Sequence, residues 1–419
     1  MSITDKMPRM LTGDELMQAL KVVPDYDADI RTKSQAERLL ALNDVCSLYL
    51  PSDMGKEIYA KLYLALARSL KKKESRLLTV QRNINASAIR GRTESFGGIL
   101  GGIDCLTIIG ESGIGKTRSI ERAVSLLEGE KVIELAEPFT KIIPVLNIQC
   151  PFDASCKAML LSICKKVDEA LGTNYYEMQI RSRAATNMLI VSVAQMMINH
   201  CGLLIIDEIQ NLVKHKAGMQ LIGMLTQLLN ESGVAVVMVG IPEVVPFFES
   251  IDYLARRTVG LNYERCAYDR FFYDFCSELW KYQYVSNESE ISDAIIHYLY
   301  EHSAGKLSNV IFLFYTAQEI GILNGRECID ISALDEAYQR MRMLHAHIQP
   351  DVRVGATTNV RKRKTSKQVL TETKNIYDPG EAWTINDFSF SEAAREAKSR
   401  NLDVLEILTA YISITEVGV

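Results

Sequence analysis

Between residues 105 and 261 short apolar runs alternate with longer amphipathic ones. Cys105–Ile109, Ile143–Ile148, Leu203–Ile206 and Val234–Val239 are apolar nearly throughout, as strands covered on both faces must be, and Thr258–Leu261 is a fifth, weaker run. Helical spacing fills the gaps at about 116–128, 154–171, 183–199 and 217–231. The alternation predicts an α/β domain: a doubly wound parallel sheet with helices on both faces.

The flanks read differently. Residues from about 10 to 90 carry helical spacing with few Gly or Pro, and their last part is basic (Arg68, Lys71, Lys72, Lys73, Arg76, Arg82, Arg90, Arg92) before the Gly97-Gly98 and Gly101-Gly102 pairs. Past residue 265 the strand signals stop, and helical patterns follow at Tyr268–Tyr284, Ile291–His302, Ser308–Ile320 and Ser332–Leu344. The expected organisation is a helical, partner-binding N-terminal region (1–92), the α/β core (93–264), a helical lid (265–348), and a basic linker with a docking tail (349–419). That tail holds the run Arg361-Lys362-Arg363-Lys364 and one apolar segment, Leu402–Ile414, too short to build a core of its own.

Composition narrows the class. The 419 residues are 47% apolar, enough for two or three domains with cores. No apolar stretch approaches the roughly 18 residues that cross a bilayer, and the start lacks a basic segment followed by an apolar one, so no membrane partner and a cytoplasmic address are expected. The nine cysteines show no Cys-x-x-Cys pair and read as reduced core thiols. A formal net charge of -5 means that any nucleic-acid contact depends on a local cluster of cations.

The chemistry concentrates in two places. Gly110-Glu111-Ser112-Gly113-Ile114-Gly115-Lys116-Thr117 fits the phosphate-loop pattern without mismatch, between an apolar strand and a helix, and these residues with Arg118 are the nucleotide-binding candidates. Glycines let successive N–H groups curl inward towards phosphate oxygens at a helix N-terminus; Lys116 reaches the terminal phosphates of ATP and the Thr117 hydroxyl ligates Mg²⁺. About 90 residues on, Leu203-Leu204-Ile205-Ile206 ends in Asp207-Glu208. Carboxylates ending a buried strand are costly unless they meet a cation or water. Asp207 is the candidate for the Mg²⁺ shell and Glu208 for polarising the attacking water.

These two motifs, with Asp207-Glu208-Ile209-Gln210-Asn211, the Val234–Val239 run leading into Gly240-Ile241-Pro242-Glu243, and Ala255-Arg256-Arg257, resemble the AAA+ ATPases of transposons, the TnsC and TniB group, over about residues 95–345. Replication initiator and loader ATPases share much of the pattern. The resemblance implies an AAA+ P-loop ATPase fold with a helical lid, and an ATP-dependent ring or helical oligomer on double-stranded DNA. It also implies a partnership with transposase subunits and a target-selector protein. It makes Arg256 or Arg257 a finger reaching a neighbouring subunit's nucleotide, and Lys306, within Ser303–Asn309, a sensor of nucleotide state. Asn147 is either a restraint on Glu208 or a buried, satisfied amide. The strand ending at Val239 lacks the polar residue expected of a first sensor, which implies slow or partner-dependent hydrolysis. For DNA backbone contact the candidates are Lys157, Lys165 and Lys166, with Lys214 and Lys216 after the acidic motif.

Overall fold

A computed structural model of the protein describes residues 3–90, 105–129, 131–136, 139–249 and 258–340, all within one compact unit. The apolar runs form the expected strands: β1 (Cys105–Gly110), β3 (Phe139–Gln149), β4 (Cys201–Asp207), β5 (Ala235–Gly240) and β6 (Thr258–Tyr263). An additional short strand, β2 (Ile133–Ala136), pairs antiparallel with the first half of β3. The six strands lie in the order β2-β3-β4-β5-β1-β6, and all pairings except β2 with β3 are parallel. The sheet is therefore doubly wound as expected, with one antiparallel edge that the apolar pattern did not announce.

Side-chain alternation along the strands divides the core into two. On one face Leu146, Ile148, Leu204, Ile206, Val236 and Met238 pack with α5 (Cys156–Leu171), α7 (Thr186–His200) and α9 (Gly218–Ser232). The short helices α6 (Tyr175–Ser182), α8 (Asn211–Lys214) and α10 (Val245–Glu249) border that layer. On the other face Ile108, Val145, Leu203, Ile205, Val237 and Val239 meet Ile120, Ala123 and Leu127 of α4 (Lys116–Glu128). They also meet Ile58, Leu62, Leu66 and Leu70 of the N-terminal helix α3 (Asp53–Arg90), and Leu16 and Leu20 of α1 (Gly13–Leu20). Ser69 Oγ donates to the Gly202 carbonyl and Lys73 Nζ to the Met197 carbonyl at 3.0 Å, pinning α3 to the start of β4 and the end of α7.

The residues before 90 thus do not stand apart from the α/β core across the expected boundary: they supply much of one helical layer. The helical region is made of α11 (Arg270–Leu279), α12 (Asp293–Ser303), α13 (Leu307–Leu323) and α14 (Ile331–Arg340). Asp269 and Ser292 cap the first two by accepting from Phe272 N at 3.1 Å and Ile295 N at 3.3 Å. Its core of Phe272, Phe275, Leu299, Leu313 and Phe314 is completed by Leu42, Val45 and Leu48, which follow α2 (Gln35–Ala41). The N-terminal segment therefore belongs to both cores at once. The expected tail, with Arg361–Lys364 and Leu402–Ile414, lies outside the described residues.

Candidate functional site

The phosphate loop emerges from β1 as a turn that only glycine makes without strain. Gly113 has φ +85° and Gly115 φ +102°, in the left-handed region, and a Cβ on Gly113 would come within 2.4 Å of Ser308 Oγ. From Gly115 the chain enters α4, so Lys116 sits in its first turn, buried, with Nζ donating to the carbonyls of Gly110 at 2.6 Å and Glu111 at 2.7 Å. Burial holds the Lys116 ammonium below its ordinary pKa, against the pull of Asp207, Glu208 and Glu111. An ammonium out of water whose bonded partners are neutral carbonyls is a receptor for an anion.

Across the sheet, β4 delivers Asp207 and Glu208 to the same cleft, as its register beside β5 requires. Glu208 takes φ +58°, a left-handed conformation unusual for a residue with a side chain, and Ile209 N then bonds the Val239 carbonyl at 3.0 Å. The Asp207 carboxylate accepts from Glu208 N at 2.7 Å. The cleft has a volume of about 490 Å³, within the usual range for small-molecule sites. Its floor is the loop from Ser112 to Ser119, its acidic side Asp207 and Glu208. The N-terminal segment supplies one wall with Leu48, Tyr49, Leu50 and Met54, and the helical region another with Phe275, Ile311 and Phe312.

The sequence candidates distribute as follows. Ser112, Gly113, Ile114, Gly115, Lys116, Thr117 and Arg118 all border the cleft; Arg118 also donates to the Ser47 carbonyl at 3.3 Å and to that of Cys46, tying the N-terminal wall to the loop. Gly110 closes β1 behind them, where a Cβ would lie 2.6 Å from Ile114 Cδ1. Glu111 and Lys306 meet each other: Lys306 Nζ lies 3.0 Å from Glu111 Oε2, and Arg265 Nε contacts both Glu111 oxygens at 2.8 and 2.9 Å. Burial favours the neutral form of Glu111, but the hydrogen bonds from Arg265 and Lys306 win and hold its carboxyl below the ordinary range. Ser308 N bonds the Gly113 carbonyl at 3.2 Å, so the start of α13 closes directly onto the loop.

Asn147 is exposed on β3 rather than a buried, satisfied amide, and the amide that bonds the Glu208 carboxylate is that of Gln210. Lys157, Lys165 and Lys166 are exposed on α5, away from the cleft, with Lys166 paired to Glu169 at 2.8 Å; Lys214 and Lys216 are also exposed. Arg256 and Arg257 lie outside the described residues. Sequence reasoning missed Arg265 and the N-terminal wall, for which no local motif exists, and passed over Gln210 although it stands in the acidic run.

Thr117 and Asp207 present a hydroxyl and a carboxylate to one cleft, a hard-oxygen pair that suits Mg²⁺ completed by water and phosphate oxygens. Among the described residues no cluster of three or more His, Cys, Asp or Glu gathers as a separate metal site, and no helix is long and apolar enough to cross a membrane.

Residues 101–248 match a family model described as an AAA domain. No curated protein matches the sequence. Among solved structures, the chain is similar to the Aeropyrum pernix Orc1 protein in complex with DNA (15% identity, 64% of this chain and 65% of that one, TM-score 0.41). It is also similar to Cdc6p from Pyrobaculum aerophilum (12% identity, 56% and 60%, TM-score 0.39) and to Drosophila ORC bound to DNA (12% identity, 88% and 82%, TM-score 0.41). The chain thus spans just under two thirds of the first of these, and at such scores the likeness decides nothing about substrate or partners. The AAA domain match and the geometry agree on the fold: an α/β AAA+ P-loop ATPase with a parallel, doubly wound sheet and helical regions. As a class, AAA domains are nucleotide-hydrolysing ATPases.

Proposed function

We propose that the protein binds and hydrolyses ATP with Mg²⁺ in the cleft above the phosphate loop, and that it uses this cycle to regulate DNA transposition in the cytoplasm. The observation that carries the first part is the convergence of Lys116, Thr117, Asp207 and Glu208 on one cleft of about 490 Å³. Lys116 exchanges its two carbonyl partners for the terminal phosphates. Thr117 and Asp207 would hold Mg²⁺, which when bound supplies neutralisation of charge on the phosphate oxygens. Glu208 orients the attacking water and accepts its proton as the bond to the γ-phosphorus forms and the ADP oxygen leaves.

The second part rests on the resemblance to TnsC and TniB, carried by the Gly240-Ile241-Pro242-Glu243 turn and the arginine pair. In this reading ATP-bound copies assemble on target duplex into a ring or filament, Arg256 or Arg257 reaching the neighbour's nucleotide and Lys157, Lys165 and Lys166 tracking the backbone. The assembly couples a target-selector protein to the transposase subunits. The exposure of all three lysines on one helix supports a phosphate-contacting surface.

One experiment tests both parts: hydrolysis and sedimentation of the full chain with Mg²⁺-ATP and duplex DNA. Wild type hydrolyses ATP; Lys116→Ala neither binds nor assembles; Glu208→Gln binds, hydrolyses at least about a hundredfold more slowly and accumulates as oligomer on DNA. Wild-type turnover by Glu208→Gln removes its assignment. Monomers alone at every condition, with hydrolysis intact, exclude the transposition reading and leave a signalling or loader-type ATPase.

A further inference from the structure

Gln210 is the polar side chain of the acidic turn that is buried, next to the apolar Ile209. It is buried, borders the cleft beside Asp207, Glu208 and Gly240, and donates through Nε2 to the Glu208 carboxylate. Glu208 itself is exposed to the cleft and sits on a left-handed backbone. An ionised carboxylate only accepts, so the amide nitrogen must face it and the oxygen must face away. That oxygen, Oε1, is buried with no hydrogen-bond partner.

The space it occupies belongs to the end of β5. A Cβ built on Gly240 would lie 3.3 Å from Gln210 Oε1 and 2.5 Å from Ile209 Cγ2. The strand that runs beside the acidic one therefore ends without a side chain, and the Ile209 methyl, with the Gln210 amide beside it, fills the gap from the adjacent turn. An exposed glutamate on a long side chain has several rotamers; a buried donor fixed against the sheet selects one of them. The unpartnered oxygen is a cost that well-packed apolar atoms of the same shape would avoid.

We propose that Gln210 is a positioning residue for hydrolysis: it anchors the Glu208 carboxylate for the attacking water, in the place that the side-chain-free end of β5 leaves open. This rests on Glu208 being the group that takes the water's proton. Water attacks the γ-phosphorus, the new P–O bond forms as the bond to the ADP oxygen breaks, and the proton passes to Glu208; Gln210 touches neither phosphate nor water.

The test is ATP binding and turnover by the full chain carrying Gln210→Met, Gln210→Glu, Glu208→Gln, or Glu208→Gln with Gln210→Met. The Met variant keeps the volume, removes the donor and removes the orphaned oxygen. It is expected to keep its melting temperature and its ATP Kd within about threefold, while kcat falls roughly tenfold to a hundredfold, the scale of a misplaced catalytic group. Gln210→Glu, with a carboxylate facing a carboxylate, falls at least as far. In the Glu208→Gln background the Met substitution costs nothing more, because the group it positions is gone. An unchanged kcat in Gln210→Met overturns the proposal, as does a loss matched by equal losses in ATP affinity and melting temperature, or an undiminished loss in the Glu208→Gln background. Wild-type turnover by Glu208→Gln alone overturns the underlying assignment instead.

Discussion

Two of the ionic clusters that fasten the helical region to the rest of the molecule are built on opposite terms. In the first, Arg38 of α2 is 5% exposed and grips Glu327 through both terminal nitrogens, at 2.6 and 2.8 Å, while Nη1 also donates to Tyr284 O at 3.1 Å. In the second, the Glu111 side chain is 35% exposed and faces two cations, Arg265 and Lys306. One cation meets one carboxylate in the buried cluster, so nothing is left over. Two meet one at the phosphate loop, which leaves an excess positive charge beside the place where phosphates bind. The first, with no unmatched charge for an anion to claim, is the permanent fastening of the two; the second is open to competition from any anion entering the loop.

Breaking the buried cluster has the largest expected consequence for stability. Arg38→Ala leaves Glu327 without its cation, on a left-handed backbone at φ +55° with Ser286 left to donate, through its side chain and through N at 3.0 Å. Glu327→Gln leaves a buried guanidinium whose Nε already lacks a partner. Either change is expected to cost about 3 kcal/mol, as removal of one partner from a buried pair does. The check is a urea titration, and a double variant costing much less than the sum of the singles would show that the cost lies in the abandoned charge. Midpoints equal to wild type would show that the cluster holds nothing.

The difference between the clusters also marks what the sequence can disclose. The phosphate loop and the acidic turn are legible because each is a local arrangement, its glycines and carboxylates within eight residues and two residues of one another. Strands β1, β3, β4 and β5 are legible because burial on both faces leaves few polar positions, and the short edge strand β2 is not. Helix α3 is legible as a helix, yet its apolar stripe says only that it has a partner; that Leu62 and Leu66 share a core with Leu203 and Ile205 depends on packing between segments well over a hundred residues apart. Arg38 and Glu327 are likewise unremarkable charges in the chain, and Arg265 has no motif at all. Lys306 is visible as a cation after a helix, but its pairing with Glu111 follows from how α13 meets Gly113, through Ser308.

Acid should separate the clusters next. The hydrogen bonds from Arg38, outweighing burial, hold the Glu327 carboxyl at about 2. Because this folded-state value is depressed, the stabilisation is fully present above the ordinary carboxylate value of about 4.3 and is lost as pH falls from there through about 2. The gap in melting temperature between wild type and Glu327→Gln is therefore expected to be equal at pH 7 and pH 5 and to shrink at pH 3. A gap that already closes between pH 7 and pH 5 would contradict a carboxylate so strongly held.

The smallest effect belongs to the half-buried cluster at the phosphate loop, and it appears in binding rather than in stability. Glu111→Gln keeps the length of the side chain and removes the charge that occupies Arg265 and Lys306. Solvent still reaches the Glu111 carboxylate, so these pairs contribute about 1 kcal/mol, and with two cations left repelling nothing but each other the melting temperature without ligand should move little. Both cations are then free to face incoming phosphate, and ATP is expected to bind roughly threefold to fivefold more tightly, the equivalent of about 0.5–1 kcal/mol. Isothermal titration at two salt concentrations checks this, since the gain should fade at high salt as screening grows. Lys306→Ala in the same background should return the affinity towards the wild-type value. If Glu111→Gln instead weakens ATP binding while leaving the fold intact, the carboxylate serves to aim its two cations at the nucleotide, and the contrast between a permanent and a competable fastening fails at the phosphate loop.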